Sequence, residues 1–277
     1  IRRGVSVERF GLSPQDALRS IRVPEEFEVE LVASEPWIAD PVNIAFDSQG
    51  RLWVAEMGDY PLGNKSGGRI KVLSDSDGDG QVDKASLFLD SLEYPSSVQP
   101  FRDGAIVATA PQMFFAADRD GDGYAEYREA MLSGFAPANP QHRVNGFEWT
   151  LDGSLSFAPG EGTGEVEVVA TGERTSLSGR DGIFDPWRQK LTSGSGVTQT
   201  IRSRDDWGRA FGSTNTEPLF HYVIDDRYRR SPASTHNPTK EYVTHPAVAP
   251  VVFPLTDSHT RFNDVAVHGR FTSACSA

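Results

Sequence analysis

Two short acidic stretches carry the strongest chemical signal in this sequence. Residues 75–83 read DSDGDGQVD, and residues 118–126 read DRDGDGYAE. In both, oxygen-bearing side chains occupy positions 1, 3, 5 and 9 and glycine occupies position 6, which is the spacing of an EF-hand-type calcium loop. A hard cation takes six to eight oxygen ligands, and alternate residues of a tight loop can direct carboxylates to one point. The alternative is an Asp-Gly-rich turn that binds no metal.

The loop positions assign the ligands. The predicted metal ligands are Asp75, Asp77, Asp79, Gln81 and Asp83 in the first loop, and Asp118, Asp120, Asp122, Tyr124, Glu126 and Glu129 in the second. Gln81 and Tyr124 would contribute backbone carbonyls. Position 12 is Ser86 in the first loop and Glu129 in the second, so the second is predicted to be the better site. Both loops follow apolar strand-like runs, which favours a structural calcium site in a β-turn over a signalling helix pair.

A histidine at the start of a strand-like run is the candidate catalytic residue. Residues 141–149 read QHRVNGFEW. The imidazole of His142 could act as a general base that takes the proton from a substrate hydroxyl. Arg143 and Asn145 could hold an anionic cofactor or substrate. The alternative is a histidine that only forms hydrogen bonds with the backbone.

The elements that position these residues repeat along the chain. An apolar run, a short polar turn with glycine and a second apolar run recur roughly every 50 residues. The turn glycines are Gly50, Gly104, Gly153, Gly208 and Gly269. Each copy is typical of a tight β-hairpin, in which Ile44, Phe46, Leu52 and Val54 would share one face. The pattern predicts an all-β fold, a β-propeller with about four to five blades present and therefore incomplete.

The predicted domain organisation is simple. Residues 1–22 form an arm with a short helix at Ser13–Ser20, capped by Ser13. Residues 23–277 form one propeller domain that breaks off in the fifth repeat, with 226–260 as a long insertion loop. Further strands are predicted at 69–73, 85–89, 112–116, 182–184 and 198–201. An open propeller exposes strand edges, so a partner protein is expected to cover them.

Composition excludes several classes of function. The chain has 277 residues and a formal net charge of −12. Such an acidic balance argues against nucleic acid as a partner, because phosphate binding needs a positive surface. No run approaches the roughly 18 apolar residues that a transmembrane helix needs. The single cysteine, Cys275, allows no internal disulfide.

Several motifs together resemble a known family. They are VPEEFEVELVASEP, PVNIAFDSQGRLWVAEMGDYP, DSDGDGQVDKASLFLDSL, QHRVNGFEW and RDDWGRAFGSTNTEPLFHY. In this order they resemble the N-terminal propeller of bacterial proteins classed as membrane-bound dehydrogenases, which often carry a C-terminal haem c domain. That propeller is similar to the six-bladed soluble glucose and sorbosone dehydrogenases, which use pyrroloquinoline quinone. The resemblance covers nearly the whole chain, from about residue 23 to residue 276.

The resemblance implies an activity and a set of site residues. It implies oxidation of a sugar or alcohol by hydride transfer to the quinone, with His142 as base and Arg204 of the RDDWG motif as a contact to the cofactor. Residues 158–161 read APGE where the family usually has an Asn-Gly-Asp-like turn. A cytochrome would accept the electrons, and the protein would be periplasmic or otherwise extracytoplasmic, associated with a membrane only through a partner.

Two other functions stay open on the sequence. The chain could be a non-catalytic propeller that serves as a structural or accessory subunit of an extracytoplasmic or membrane-associated complex. A carbohydrate-binding module is a third reading, which rests on the tryptophans Trp53, Trp149, Trp187 and Trp207. Because these lie in strand and turn patterns, we expect them to be core residues.

Overall fold

A computed structural model describes residues 11–61, 63, 67–224 and 240–243. One short helix, α1 (Pro14–Ser20), precedes the sheets, and the Ser13 side chain accepts a hydrogen bond from the Asp16 backbone N–H. The predicted helix and its cap are therefore confirmed. No helix in the described part of the chain is long and apolar enough to cross a membrane.

The first two sheets are antiparallel meanders. Blade 1 consists of β1 (Pro41–Phe46), β2 (Leu52–Met57), β3 (Gly68–Ser74) and β4 (Lys84–Leu92). Blade 2 consists of β5 (Ser97–Phe101), β6 (Gly104–Thr109), β7 (Gln112–Ala117) and β8 (Tyr127–Ser133). Three of the predicted strands, at 69–73, 85–89 and 112–116, lie within β3, β4 and β7.

Blade 3 is interrupted by a hairpin that belongs to the neighbouring sheet. Its strands are β9 (Asn145–Trp149) and β10 (Leu155–Ala158), followed after the hairpin by β13 (Gly182–Asp185) and β14 (Lys190–Ser193). The hairpin, β11 (Glu165–Val168) and β12 (Arg174–Ser176), pairs with β8 and widens blade 2 to six strands. The strand predicted at 182–184 is confirmed as β13.

Blade 4 corrects two boundaries of the sequence analysis. Its strands are β15 (Thr200–Arg204), β16 (Ala210–Ser213), β17 (Phe220–Tyr222) and β18 (Lys240–Tyr242). β15 begins later than the predicted 198–201, because the Thr198 backbone and hydroxyl are hydrogen-bonded to Asp181 instead of a neighbouring strand. β18 lies inside the predicted insertion loop. It is a short strand at the sheet edge, so its sequence shows no apolar alternation by which it could be predicted. The rest of that loop, and the fifth repeat at Gly269, lie outside the described residues.

These four antiparallel sheets make the chain an all-β protein of propeller type. The innermost strands β1, β5, β9 and β15 follow one another around an open central cavity of about 680 Å³. Blade 1 packs on blade 2 through a buried cluster that includes Trp53, Phe88 and Phe114. Blade 2 packs on blade 3 through a larger cluster that includes Phe115 and Phe157.

Polar side chains join each inner strand to the next. The Asn43 side-chain oxygen accepts a hydrogen bond from the backbone N–H of Val98 in blade 2 (2.9 Å). The Asn145 side-chain oxygen accepts one from the backbone N–H of Ile201 in blade 4 (2.8 Å), and its amide donates to the Gln199 carbonyl (3.0 Å). A side chain at the start of one inner strand therefore satisfies the backbone of the following blade.

The junction between blades 2 and 3 uses a serine and a glycine. The Ser97 hydroxyl accepts a hydrogen bond from the Gly146 backbone N–H (2.9 Å). Gly146 has a φ of +69°, and a Cβ there would lie 2.7 Å from the Ile201 Cα. Only glycine allows the inner strands to approach this closely.

A buried ion pair adds to the junction between blades 3 and 4. Asp181 precedes β13, and its carboxylate lies 2.6 Å from the guanidinium of Arg202 in β15. Both side chains are buried, and the Arg202 guanidinium also donates to the Ser195 carbonyl (2.7 Å). The loss of either partner would leave an uncompensated charge in the interior.

The polar junctions predict a graded loss of stability. Asn145→Ala leaves the Ile201 N–H and the Gln199 carbonyl without partners, so we expect the free energy of unfolding to fall by about 2–4 kcal/mol. Asn43→Ala removes one such bond and is expected to cost about half as much. Urea unfolding followed by tryptophan fluorescence measures both. If both variants unfold like the wild type, these side chains do not hold the blades together.

Candidate functional site: a histidine–glutamate pair opposite two acidic loops

The alternation of strand direction divides the functional candidates between two ends of the blades. The end that we call the upper face carries the connections at 93–96, 134–144, 159–164 and 194–199. The other end, the lower face, carries the acidic loops 75–83 and 118–126 and the turns at 47–51, 102–103, 150–154, 186–189 and 205–209. His142 therefore lies on the upper face, and the predicted calcium loops lie on the lower face.

His142 is held from both ring nitrogens. It ends a 3-10 turn (Pro140–His142), and its side chain is 16% exposed. Its Nδ1 lies 2.7 Å from a carboxylate oxygen of Glu161, and its Nε2 lies 3.0 Å from the amide nitrogen of Gln199. The Glu161 backbone N–H also donates to the His142 carbonyl (2.7 Å).

The hydrogen-bond network fixes the tautomer of the neutral imidazole. The Gln199 side-chain oxygen accepts a hydrogen bond from the Asn215 backbone N–H (2.8 Å), so its NH₂ group faces His142. Nε2 of His142 must then accept, and Nδ1 carries the proton that is donated to Glu161. A carboxylate on Nδ1 and a lone pair on Nε2 is the arrangement of an oriented general base. A substrate hydroxyl would take the place of the Gln199 amide at Nε2.

A polar cavity lies beside this pair on the upper face. It has a volume of about 490 Å³, and both side chains that hold His142, Glu161 and Gln199, line it. Thr163, Thr198 and Thr214 also line it. Hydroxyl, amide and carboxylate groups can exchange hydrogen bonds with a hydroxylated small molecule.

Arg143 directly follows His142 in the chain. Its side chain is buried, its guanidinium lies 4.7 Å from the Tyr94 ring centre, and its Nε donates to the Ala138 carbonyl (3.2 Å). One terminal nitrogen, Nη1, is buried without a hydrogen-bond partner. An orphaned cationic donor next to His142 fits the predicted contact with an anionic group.

Asn145 and Arg204 do not join that site. Asn145 is engaged in the junction with blade 4, so it has structural partners instead of a ligand. Arg204 lies at the lower end of β15, where its guanidinium donates to the Gly208 carbonyl (2.7 Å), whereas Gln199 lies at the upper end. The three residues predicted to hold the quinone therefore do not form one binding site, and their arrangement does not fit that cofactor.

The two acidic loops have the same internal geometry. In the first, carboxylate oxygens of three side chains lie within 4.8 Å of one another: Asp75, Asp77 and Asp83. In the second, the corresponding three are Asp118, Asp120 and Glu126. Backbone N–H groups of Gly80 and Gly78 lower the pKa of Asp75, and those of Gly123 and Gly121 do the same for Asp118. The oxygen-only donor set is solvent-accessible and fits a hard divalent cation.

Other predicted ligands lie outside these groups. Asp79 and Asp122, at position 5, accept the backbone N–H of Gln81 and Tyr124, respectively, each at 2.8 Å. Glu129 lies in β8, where its carboxylate accepts a hydrogen bond from the Tyr127 hydroxyl (2.9 Å). The carboxylate at position 9, Asp83 or Glu126, is the third member of each group. Glu129 is not a member of the second group.

The family of the chain follows from its sequence. A profile described as "Domain of unknown function (DUF7133)" matches residues 13–277. The chain belongs to the DUF7133 family. A search of curated proteins returned no match to this DUF7133 chain.

Solved structures resemble the DUF7133 chain at low sequence identity. The holo PQQ domain of pyranose dehydrogenase from Coprinopsis cinerea is 13% identical, with 67% of this chain and 44% of that chain covered and a TM-score of 0.45. A luciferin-regenerating enzyme is 10% identical, with 66% and 55% covered and a TM-score of 0.43. A Trichoderma reesei enzyme of carbohydrate-active family AA12 is 14% identical, with 69% and 53% covered and a TM-score of 0.40. The DUF7133 chain thus spans about half the length of these structures.

Two residues of the upper site were not predicted from the sequence. Gln199 comes from a connection in another blade, and no local pattern marks it. Glu161 lies in the APGE stretch that departs from the usual turn of the resembling dehydrogenases. A Cβ at Gly160 would lie 2.7 Å from the His142 carbonyl oxygen, so the glycine lets this stretch approach the histidine. An acidic residue directly after such a glycine was the available signal.

The network around His142 predicts a single tautomer in the DUF7133 chain. We expect ¹⁵N–¹H correlation spectra at pH 8 to show the proton on Nδ1, because Glu161 accepts it and Gln199 donates to Nε2. In Glu161→Ala the preference should shift towards the Nε2-protonated form, whereas the exposed substitution Glu173→Ala should change nothing. A wild-type histidine protonated on Nε2 would contradict the assigned network.

Proposed function

We propose that this chain is a calcium-stabilised propeller module that binds a sugar or other alcohol in the upper-face cavity, with His142 as the general base. The observation that carries the proposal is the oriented imidazole. Its Nδ1 is held by Glu161 and its Nε2 by Gln199, and both of these residues line the cavity.

The residues of the cavity support proton removal from a hydroxyl group. As Nε2 takes the proton, the ring becomes cationic, and the Glu161 carboxylate 2.7 Å from Nδ1 stabilises that charge. Glu161 is 68% exposed, so this stabilisation is weaker than it would be for a buried pair. The Arg143 guanidinium, which lies behind the same connection, can hold a negatively charged group.

The family resemblance completes the proposal with an oxidation. In the resembling dehydrogenases hydride passes from the carbon to pyrroloquinoline quinone, and electrons continue to a cytochrome, outside the cytoplasm. Arg143 is the one predicted cofactor contact that lies beside His142. Any quinone at this site would therefore need contacts other than Asn145 and Arg204.

An activity assay tests the catalytic part. Wild-type protein supplied with calcium, pyrroloquinoline quinone and a panel of aldoses and polyols should reduce an artificial electron acceptor. His142→Asn should lower the rate by about 100-fold or more, because general bases contribute factors of that size. His221→Asn, which alters a histidine stacked on Phe211 in blade 4, should keep the rate. If the wild-type protein shows no cofactor binding and no dye reduction with any substrate, the catalytic proposal is wrong.

Calcium in the lower loops is proposed to have a structural role. Each loop reaches back to the preceding element: the Val82 N–H donates to the Val32 carbonyl (3.0 Å), and the Ala125 N–H donates to the Phe88 carbonyl in β4 (2.8 Å). A cation in the first loop would therefore also fix the N-terminal segment to blade 1. A cation in the second loop would fix blade 2 to blade 1. The role needs no direct contact with His142.

Calcium removal tests this role. We expect excess chelator to lower the melting temperature by about 5–10 °C per loop, if calcium is present at about 100 times its dissociation constant. Asp77→Asn and Asp120→Asn each change a carboxylate that makes only a long hydrogen bond within its loop, of 3.3 and 3.2 Å. They should remove most of the calcium effect while keeping the metal-free stability. Asp206→Asn is the control. If the wild-type melting temperature does not change when calcium is removed, the proposal is wrong.

A second candidate function is favoured by the exposed side of blade 1. Ile44, Phe46 and Leu87 are 56%, 62% and 39% exposed, although the other side of the same sheet is buried against blade 2. The pairing of Ile44 with Val54 and of Phe46 with Leu52 confirms that these residues share the predicted face. An apolar sheet face of this kind is what a structural or accessory subunit would present to a partner protein.

A further inference from the structure

Two tryptophans on the lower face are exposed. Trp187 is 62% exposed in the turn between β13 and β14, and Trp207 is 77% exposed in the turn between β15 and β16. The expectation that the tryptophans are core residues is correct for Trp53, which is 4% exposed, and wrong for these two. The two indoles lie in turns of neighbouring blades, and because they lose the stabilisation of burial we expect them to have a role at the surface.

The turn that carries Trp207 is built entirely by its neighbours. The Asp205 carboxylate accepts the backbone N–H groups of Trp207 (3.1 Å) and Arg209 (2.8 Å) and forms an ion pair with the Arg209 side chain. The indole itself contributes nothing to these bonds. The turn therefore presents the ring without depending on it.

Blade 1 contains the same turn with a different residue at the tip. Residues 47–51 read DSQGR, and residues 205–209 read DDWGR. The Asp47 carboxylate accepts the backbone N–H groups of Gln49 (2.9 Å) and Arg51 (3.0 Å) and pairs with the Arg51 guanidinium (2.7 Å). Because glutamine fills the tryptophan position in blade 1, the turn geometry does not require an aromatic ring.

A similar turn carries Trp187, and two neighbouring side chains contact its ring. Asp185 accepts the Trp187 backbone N–H (2.9 Å). The Arg102 guanidinium lies 4.7 Å from the Trp187 ring centre, and the Phe101 ring lies 4.9 Å away. In blade 4, Arg209 lies 5.0 Å from the centre of Trp207 in the same way. Both indoles stay largely exposed although a guanidinium lies close to each ring.

We propose that Trp187 and Trp207 form a carbohydrate-binding surface on the lower face, which takes a neutral glycan by stacking pyranose rings on the exposed indoles. The negative face of an indole attracts the C–H groups of an apolar sugar face. The Asp205–Arg209 pair beside Trp207 and the Asp185–Arg188 pair beside Trp187 supply acceptors and donors for the sugar hydroxyls. The acidic loops on the same face and the net charge of −12 disfavour a nucleic acid or an anionic membrane as the ligand.

The glycan surface is independent of the upper-face site. Gln199 directly precedes the upper end of β15, and the Trp207 turn follows its lower end, so the two sites lie at opposite ends of one strand. A carbohydrate bound on the lower face would not reach His142. The two proposals can therefore fail separately.

Isothermal titration with neutral hexasaccharides tests the surface, using cellohexaose, mannohexaose, xylohexaose and maltohexaose. We expect saturable binding of at least one. Trp207→Gln, which copies the blade 1 turn, and Trp187→Ala should each weaken it by roughly 3- to 10-fold, and the double variant should abolish it. Gln49→Ala, at the matching position in blade 1, should bind like the wild type. Unchanged melting temperatures exclude misfolding of the variants.

Three results would overturn the inference. The first is that none of the four hexasaccharides binds saturably. The second is that the double tryptophan variant binds as tightly as the wild type. The third is that the wild type does not bind the glycans and instead binds phosphatidylserine vesicles through the same tryptophans. The surface would then be a membrane contact.

Discussion

Hydrogen bonds from polar side chains between inner strands are the constraint on which the rest of this structure depends. Each blade of a propeller can satisfy its own backbone through its meander, but its innermost edge faces the next blade and has no strand to pair with. Here the edges are satisfied by side chains: Asn43 bonds to blade 2 and Asn145 bonds to blade 4. Since an unpaired buried N–H costs on the order of 1–3 kcal/mol, these contacts fix the rotation of each blade against its neighbour.

That fixed rotation creates the upper site. Gln199 follows β14 and precedes β15, and its carbonyl is bound by the Asn145 amide. The same residue then turns its side-chain amide towards His142 at 3.0 Å. The histidine is thus oriented by a residue of the next blade, whose position is set by the polar junction.

The sequence and the structure agree where the information is local. The loops 75–83 and 118–126 could be predicted because the donors lie within nine residues and the loop backbone alone brings them together. Strands β3, β4 and β7 could be predicted for the same reason, since alternation within one strand records which face is buried. Position 12 was less predictable, because Glu129 enters β8 and follows the strand register instead of the loop.

Contacts between distant segments could not be predicted. Gln199 meets His142 only because blades 3 and 4 are adjacent, and nothing in either segment records that adjacency. The same limit applies to Arg204, which the family resemblance grouped with His142. Strand direction places it at the far end of β15, because a side chain five positions along a strand lies roughly 16 Å away.

The separation of the two faces restricts what calcium can do for the upper site. The strands between the acidic loops and His142 are six to nine residues long in blade 1, which corresponds to roughly 20 Å or more. At physiological ionic strength the field of an exposed cation is screened over about 8 Å. Bound calcium would therefore not polarise a substrate at His142 or stabilise its developing charge. Its influence on that site can only pass through the blades, by holding β4 and the second loop together and thereby keeping the inner-strand junctions in register.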